Sequence, residues 1–162
     1  MADDGRIRDE RFRQGRGKEV DYSPLFEDAT DLIGNDLEVT ANLVGIIRCI
    51  GEGNLIPEVF YRNGIDRDDD VLLQAHGIKH LHLHADTEVD ALLFLVEYSQ
   101  FVLLLGVDGH KRHFNKPEGA ILRSLHDSAI RNADAKAMRM REEKRKAAKA
   151  GLKPRGAETA DE

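Results

Sequence analysis

The chain has 162 residues, one cysteine and a net charge of −6, enough for one domain and too little for two of ordinary size. A single cysteine makes no intramolecular disulfide, and Cys49, in an apolar stretch, reads as a small buried hydrophobe. No segment approaches the roughly 18 apolar residues of a membrane-spanning helix, and the first residues lack the apolar run of a secretory signal, so the expected location is cytoplasmic, without a membrane partner.

The charge is unevenly placed. Residues 1–20 carry a net +1, residues 21–108 a net −13, residues 109–155 a net +9 and the last seven a net −3. A basic segment on an acidic body points to nucleic acid or an acidic partner on one side only.

Residues 1–24 mix charge with glycine and end at Pro24, which predicts a flexible charged arm. From Leu25 to Ile50 apolar residues recur with helical spacing. Gly34 and Asn35 divide that stretch into two predicted helices, the second capped by Asn35 or Asp36 and stopped by Gly51 and Gly53. Residues 53–70 carry turn chemistry, and Pro57 argues against a central strand, so an ordered loop with one helical turn is expected. Ile78–His84 (IKHLHLH) alternates with period two, placing Leu81 and Leu83 on one face and His80, His82 and His84 on the other. Ala91–Tyr98 and Phe101–Asp108 are apolar on both faces, which predicts a central hairpin turning at Ser99 and Gln100 and covered by helices. Strands that follow helices without βαβ alternation predict an α+β fold with a small antiparallel sheet. Asn115, Pro117 and Glu118 form a capping pattern for a last helix that buries Ile121, Leu122, Leu125, Ala129 and Ile130. Past Asn132 it loses any apolar stripe and is expected to run as a basic helix to Gly151 and Pro154. The organisation read from the chain is therefore an arm at 1–24, a domain at 25–132, and a basic helical extension with a disordered tail at 133–162.

Six of the seven histidines lie between His76 and His113. Alternate strand residues stand roughly 6.5–7 Å apart on one face, so His80, His82 and His84 can share a metal, a phosphate or a proton-transfer task. His110, Lys111, Arg112 and His113 follow the hairpin directly, and two imidazoles beside two fixed cations suit phosphodiester chemistry. Arg62 and Arg67 are rare cations in an acidic stretch; Asp68–Asp70 is too compact for a calcium loop and reads as solvated. His82, His84 and Glu88 loosely match the first half of a cupin motif, but no second half follows.

The order of these features resembles the YafO family of toxins, within the RelE-like mRNA interferases of bacterial toxin–antitoxin systems. Gly53, Leu55, Pro57, Phe60 and Arg62 match the family's Gly-x-Leu-Pro-x-x-Phe-Gly-Arg-Asp stretch, with one extra residue before Pro57. His80, His82 and Leu83 match its His-x-His-Leu strand, and His110 with Lys111 its final His-Lys pair. The likeness covers roughly Leu37 to Ile130; Tyr61 and Asn63 stand where the family has Gly and Asp. It implies a RelE-like α+β sheet and cleavage of mRNA on the ribosome without a cofactor or metal, held in check by an antitoxin. In that chemistry a ribose 2′-OH attacks the adjacent phosphate. The resemblance implies catalytic roles for His82, His110 and His80, and phosphate contacts from Arg62, Lys111, Arg112 and His113. Two other readings stay open: a non-catalytic module that docks RNA or a protein through the 136–150 helix, and a metal-dependent enzyme using His80, His82 and His84.

Overall fold

A computed structural model describes residues 3–26, 36–61, 71–84, 91–108 and 120–160. In chain order these form β1 (Glu19–Tyr22), α1 (Leu37–Glu52), a 3-10 turn at Glu58–Phe60, α2 (Val71–His76), β2 (Ile78–His82), β3 (Leu92–Glu97), β4 (Phe101–Asp108), α3 (Ala120–Leu125) and α4 (Asp127–Ala160). The strands make one sheet in the order β1-β4-β3-β2. β3 and β4 take the two central places, as their two-sided apolar character predicts.

The sheet is mixed rather than antiparallel. β1 pairs in parallel with β4, from Glu19 opposite Phe101 to Tyr22 opposite Leu104. This corrects the reading of residues 1–24 as a flexible arm. Val20 packs toward one core, Asp21 takes the Lys136 ammonium at 2.6 Å on the other side, and Phe12 is buried. The pattern is an alternating strand written in only four residues, and the flanking charge masks it.

Each face of the sheet has its own core. The first gathers Leu81, Leu83, Leu93, Leu95, Val102 and Leu104 under Val39, Leu43, Ile46 and Ile50 of α1. Asp36 caps α1 by accepting from the Glu38 and Val39 amides, and Gly53 ends it at φ 75°, while Gly51 stays inside the helix. The second core gathers Ile78, Leu92, Phe94, Val96, Phe101 and Leu103 under Leu72 of α2, Leu122 of α3, and Ile130 and Ala133 of α4. Leu125, expected inside, is 48% exposed, because the helix breaks at His126 and restarts at Asp127. The short α2 was not anticipated from sequence; Gly77 at φ 66° turns it directly into β2. α4 continues to Ala160, beyond the predicted stop at Gly151 and Pro154. The first of the two helices predicted between Leu25 and Ile50, and the Asn115–Glu118 capping pattern, lie largely or wholly outside the described residues.

Candidate functional site

β2 builds the histidine row. Its alternation sends Lys79 and Leu81 to the α1 side, and His80 and His82 to the side of α2, α3 and α4. The His80 and His82 ring centroids lie 5.3 Å apart at 71°, and the His80 ring sits 6.2 Å from that of Phe94, its partner across the ladder. His82 is only 7% exposed and His80 is half-buried. The row is not a solvated polar face; the imidazoles stand on a largely apolar surface.

His84 leaves the row. Its Nε2 lies 2.8 Å from Glu38 Oε2 and 3.2 Å from Asp36 Oδ2, at the N-terminus of α1. The carboxylates that start that helix therefore take the third imidazole. Among the described residues no three His, Cys, Asp or Glu side chains are placed to hold a metal ion, so the alternative metal set of His80, His82 and His84 does not assemble.

The β3–β4 ladder adds a residue that sequence reasoning missed. Leu95 pairs with Leu104 but Phe94 pairs with Gly106, so one extra residue of β4 is accommodated as a bulge. Beyond it, Val107 faces the first core opposite Leu93, and Asp108 stands opposite Leu92. Leu92 is in turn opposite His82. His82, Leu92 and Asp108 thus form one rung on one face, about 10 Å across two strand spacings. Without the bulge, strict alternation from Leu104 would turn Asp108 to the α1 side. No sequence signal marks the bulge except Gly106, the only glycine within β4.

β4 ends at Asp108, two positions before His110 in the chain. His110, Lys111, Arg112, His113 and Arg62 lie outside the described residues, as do Glu88 and Asp68–Asp70. Tyr61, beside Arg62, is committed locally: its hydroxyl accepts from the Phe12 amide at 3.0 Å, and the Arg11 guanidinium lies 5.2 Å over its ring. Burial pushes its phenol pKa above the usual range.

Two further polar groups were not anticipated. Ser23 Oγ and His126 Nδ1 lie 2.6 Å apart, both residues buried, at the break between α3 and α4. On the opposite face Glu97 joins two lysines: Lys79 Nζ bonds one carboxylate oxygen and Lys18 Nζ the other at 2.7 Å. Desolvation is the largest influence on Lys79 and lowers its pKa, with the Glu97 charge opposing it. The sequence signal was available, since Lys79 interrupts an apolar strand and Glu97 closes an apolar run. His76, ahead of β2, is held below the ordinary imidazole value by burial and by Arg123, Arg6 and Arg8. It therefore stays neutral near pH 7.

Two adjacent imidazoles on an apolar floor, in line with a carboxylate, form an arrangement that can accept, hold and return a proton. Comparison with protein-family models, with curated proteins and with solved structures finds no match for this chain.

Proposed function

We propose that the protein is an RNA-cleaving toxin of the RelE-like, YafO-type group, acting on mRNA at the ribosome in the cytoplasm and neutralised by an antitoxin. The motif order GNLIPEVFYRN, IKHLHLH, apolar hairpin and His-Lys supports that family, and the mixed α+β frame is compatible with it. One observation carries the chemistry: the register that sets His82 and Asp108 on one rung and one face. The strand leading to His110 and Lys111 thereby ends at the His82 end of the sheet.

In this mechanism one imidazole of the set His82, His110 and His80 removes the proton from a ribose 2′-OH, whose oxygen attacks the adjacent phosphorus. The bond to the 5′-oxygen breaks, and a second imidazole returns a proton to that oxygen. Lys111, Arg112, His113 and Arg62 steady the negative charge growing on the phosphate. A ribosome that presents the mRNA supplies orientation and part of the binding energy, which offsets the acidity of the body.

Brief induction in a bacterial host followed by primer extension on several mRNAs tests the reading. The wild-type chain should arrest growth and cut within translated regions. His82→Asn should lower cleavage by about 10²–10⁴ while leaving the melting temperature within a few degrees. Uncut mRNA with the folded wild-type protein, or undiminished cutting by folded His82→Asn and His110→Ala variants, refutes it.

A further inference from the structure

The last apolar residues with which α4 meets the sheet are Ala137 and Met140. From Arg141 to Gly151 every residue is exposed. That stretch holds Arg141, Lys144, Arg145, Lys146 and Lys149 against only Glu142 and Glu143. With no apolar stripe, no hydrophobic groove can hold it. At 100° per residue the five cations spread over about 200° of the helix circumference, wider than the roughly 100° stripe a helix offers to one packing surface. A rod charged on more than one side suits a partner that presents anions on both flanks, as the phosphates lining a groove do. Arg141 pairs with Asp3 at 2.8 Å and Arg145 with Glu142 at 2.9 Å, both at the surface, where such pairs exchange at little cost. Lys144, Lys146 and Lys149 pair with no carboxylate among the described residues.

The foot of this helix meets the β3–β4 turn. Ser99, Gln100, Phe101, Met140, Arg141 and Lys144 help to line an open cavity of about 170 Å³ there. Polar groups from the turn and cations from α4 face one space, at the opposite end of β4 from Asp108 and so about 24 Å from it. Residues 21–108, at net −13, repel a polyanion, so free RNA is drawn first to this helix.

We infer that α4 beyond Met140 and the cavity at its foot bind the phosphate backbone of RNA, which runs from the Ser99–Gln100 turn along the helix. The choice of RNA as the polymer rests on the function proposed above; the binding of a phosphate backbone does not. The test is fluorescence anisotropy on the full chain with a labelled RNA hairpin, a duplex DNA of equal charge, and polyglutamate as competitor. The variant K144Q/R145Q/K146Q/K149Q keeps good helix formers and should weaken RNA binding at least tenfold at 100 mM salt. It should also reduce the slope of log K against log salt by about 3, at roughly 0.7–0.9 for each phosphate no longer neutralised. S99E/Q100E, which leaves the helix intact, should weaken binding several-fold. Binding is read here by anisotropy and cleavage separately by primer extension, so failure of the cleavage reading and failure of this one are distinguishable. Wild-type-like binding by either charge variant overturns the proposal. So does competition by polyglutamate matched to that of RNA, which would indicate an acidic protein partner; equal binding of duplex DNA overturns RNA as the polymer while the phosphate-backbone site stands.

Discussion

On the face beneath α1 the sheet buries ions, while on the face beneath α3 and α4 it buries imidazoles. Lys79 and Glu97, each 3% exposed, are tied together, and the second Glu97 oxygen is taken by Lys18. Lys79 also donates to the Asp9 carbonyl and lies 4.8 Å over the Phe12 ring, while the Ile7 amide donates to the Glu97 carbonyl. Lys18, Lys79 and Glu97 together fasten the N-terminal segment to the strands. The other face carries His80, His82 and His126, whose rings can be buried without a charge. Fixed ions suit a permanent joint; imidazoles suit a site where protons move.

The contrast is most easily broken at Glu97. Glu97→Ala strands two ammonium groups, one of them wholly enclosed, and should cost about 3–5 kcal/mol in urea denaturation. A loss below about 1 kcal/mol would show that the ions are not a joint at all. Next in size, Ser23→Ala or His126→Ala orphans the partner in a buried pair and should cost about 1–3 kcal/mol, the double variant losing less than the sum of the singles. The imidazoles proposed for catalysis should tolerate change better. His80→Leu, on its apolar floor, is expected to cost under about 1.5 kcal/mol while slowing RNA cleavage. A stability loss matching that of Glu97→Ala would make the row structural instead.

The smallest effect is a pH dependence. The Arg8 guanidinium beside Asp4, aided by the Arg6 amide, holds the Asp4 carboxyl down at about 2 against burial. Its pKa is depressed on folding, so its contribution is complete above about pH 4 and disappears as pH falls to about 2. The stability gap between wild type and Asp4→Asn, under about 1 kcal/mol for a pair this near the surface, should close across that interval in melts.

The strand pattern at Ile78–His84, the two-sided apolar hairpin and the Asp36 cap were legible because each depends on local periodicity or capping chemistry. β1 was not, because four residues are too few for a period and its partner lies far along the chain. His80 and His82 follow the predicted alternation, but β2 ends at His82, and the Asp36 and Glu38 carboxylates decide the place of His84. Asp108 was invisible because a bulge, not a pattern, aims it. The candidate site was thus half readable: the residue types stood in the sequence, while their convergence depends on register.

The parallel pairing of Glu19 with Phe101 has a consequence for synthesis. As the chain emerges from the ribosome, β1 appears long before β4, its neighbour in the sheet, and must wait for nearly the whole domain before it can dock. Until then β4's eventual flank has no cover, and a chain shortened by its first two dozen residues would leave that flank open permanently, an invitation to self-association.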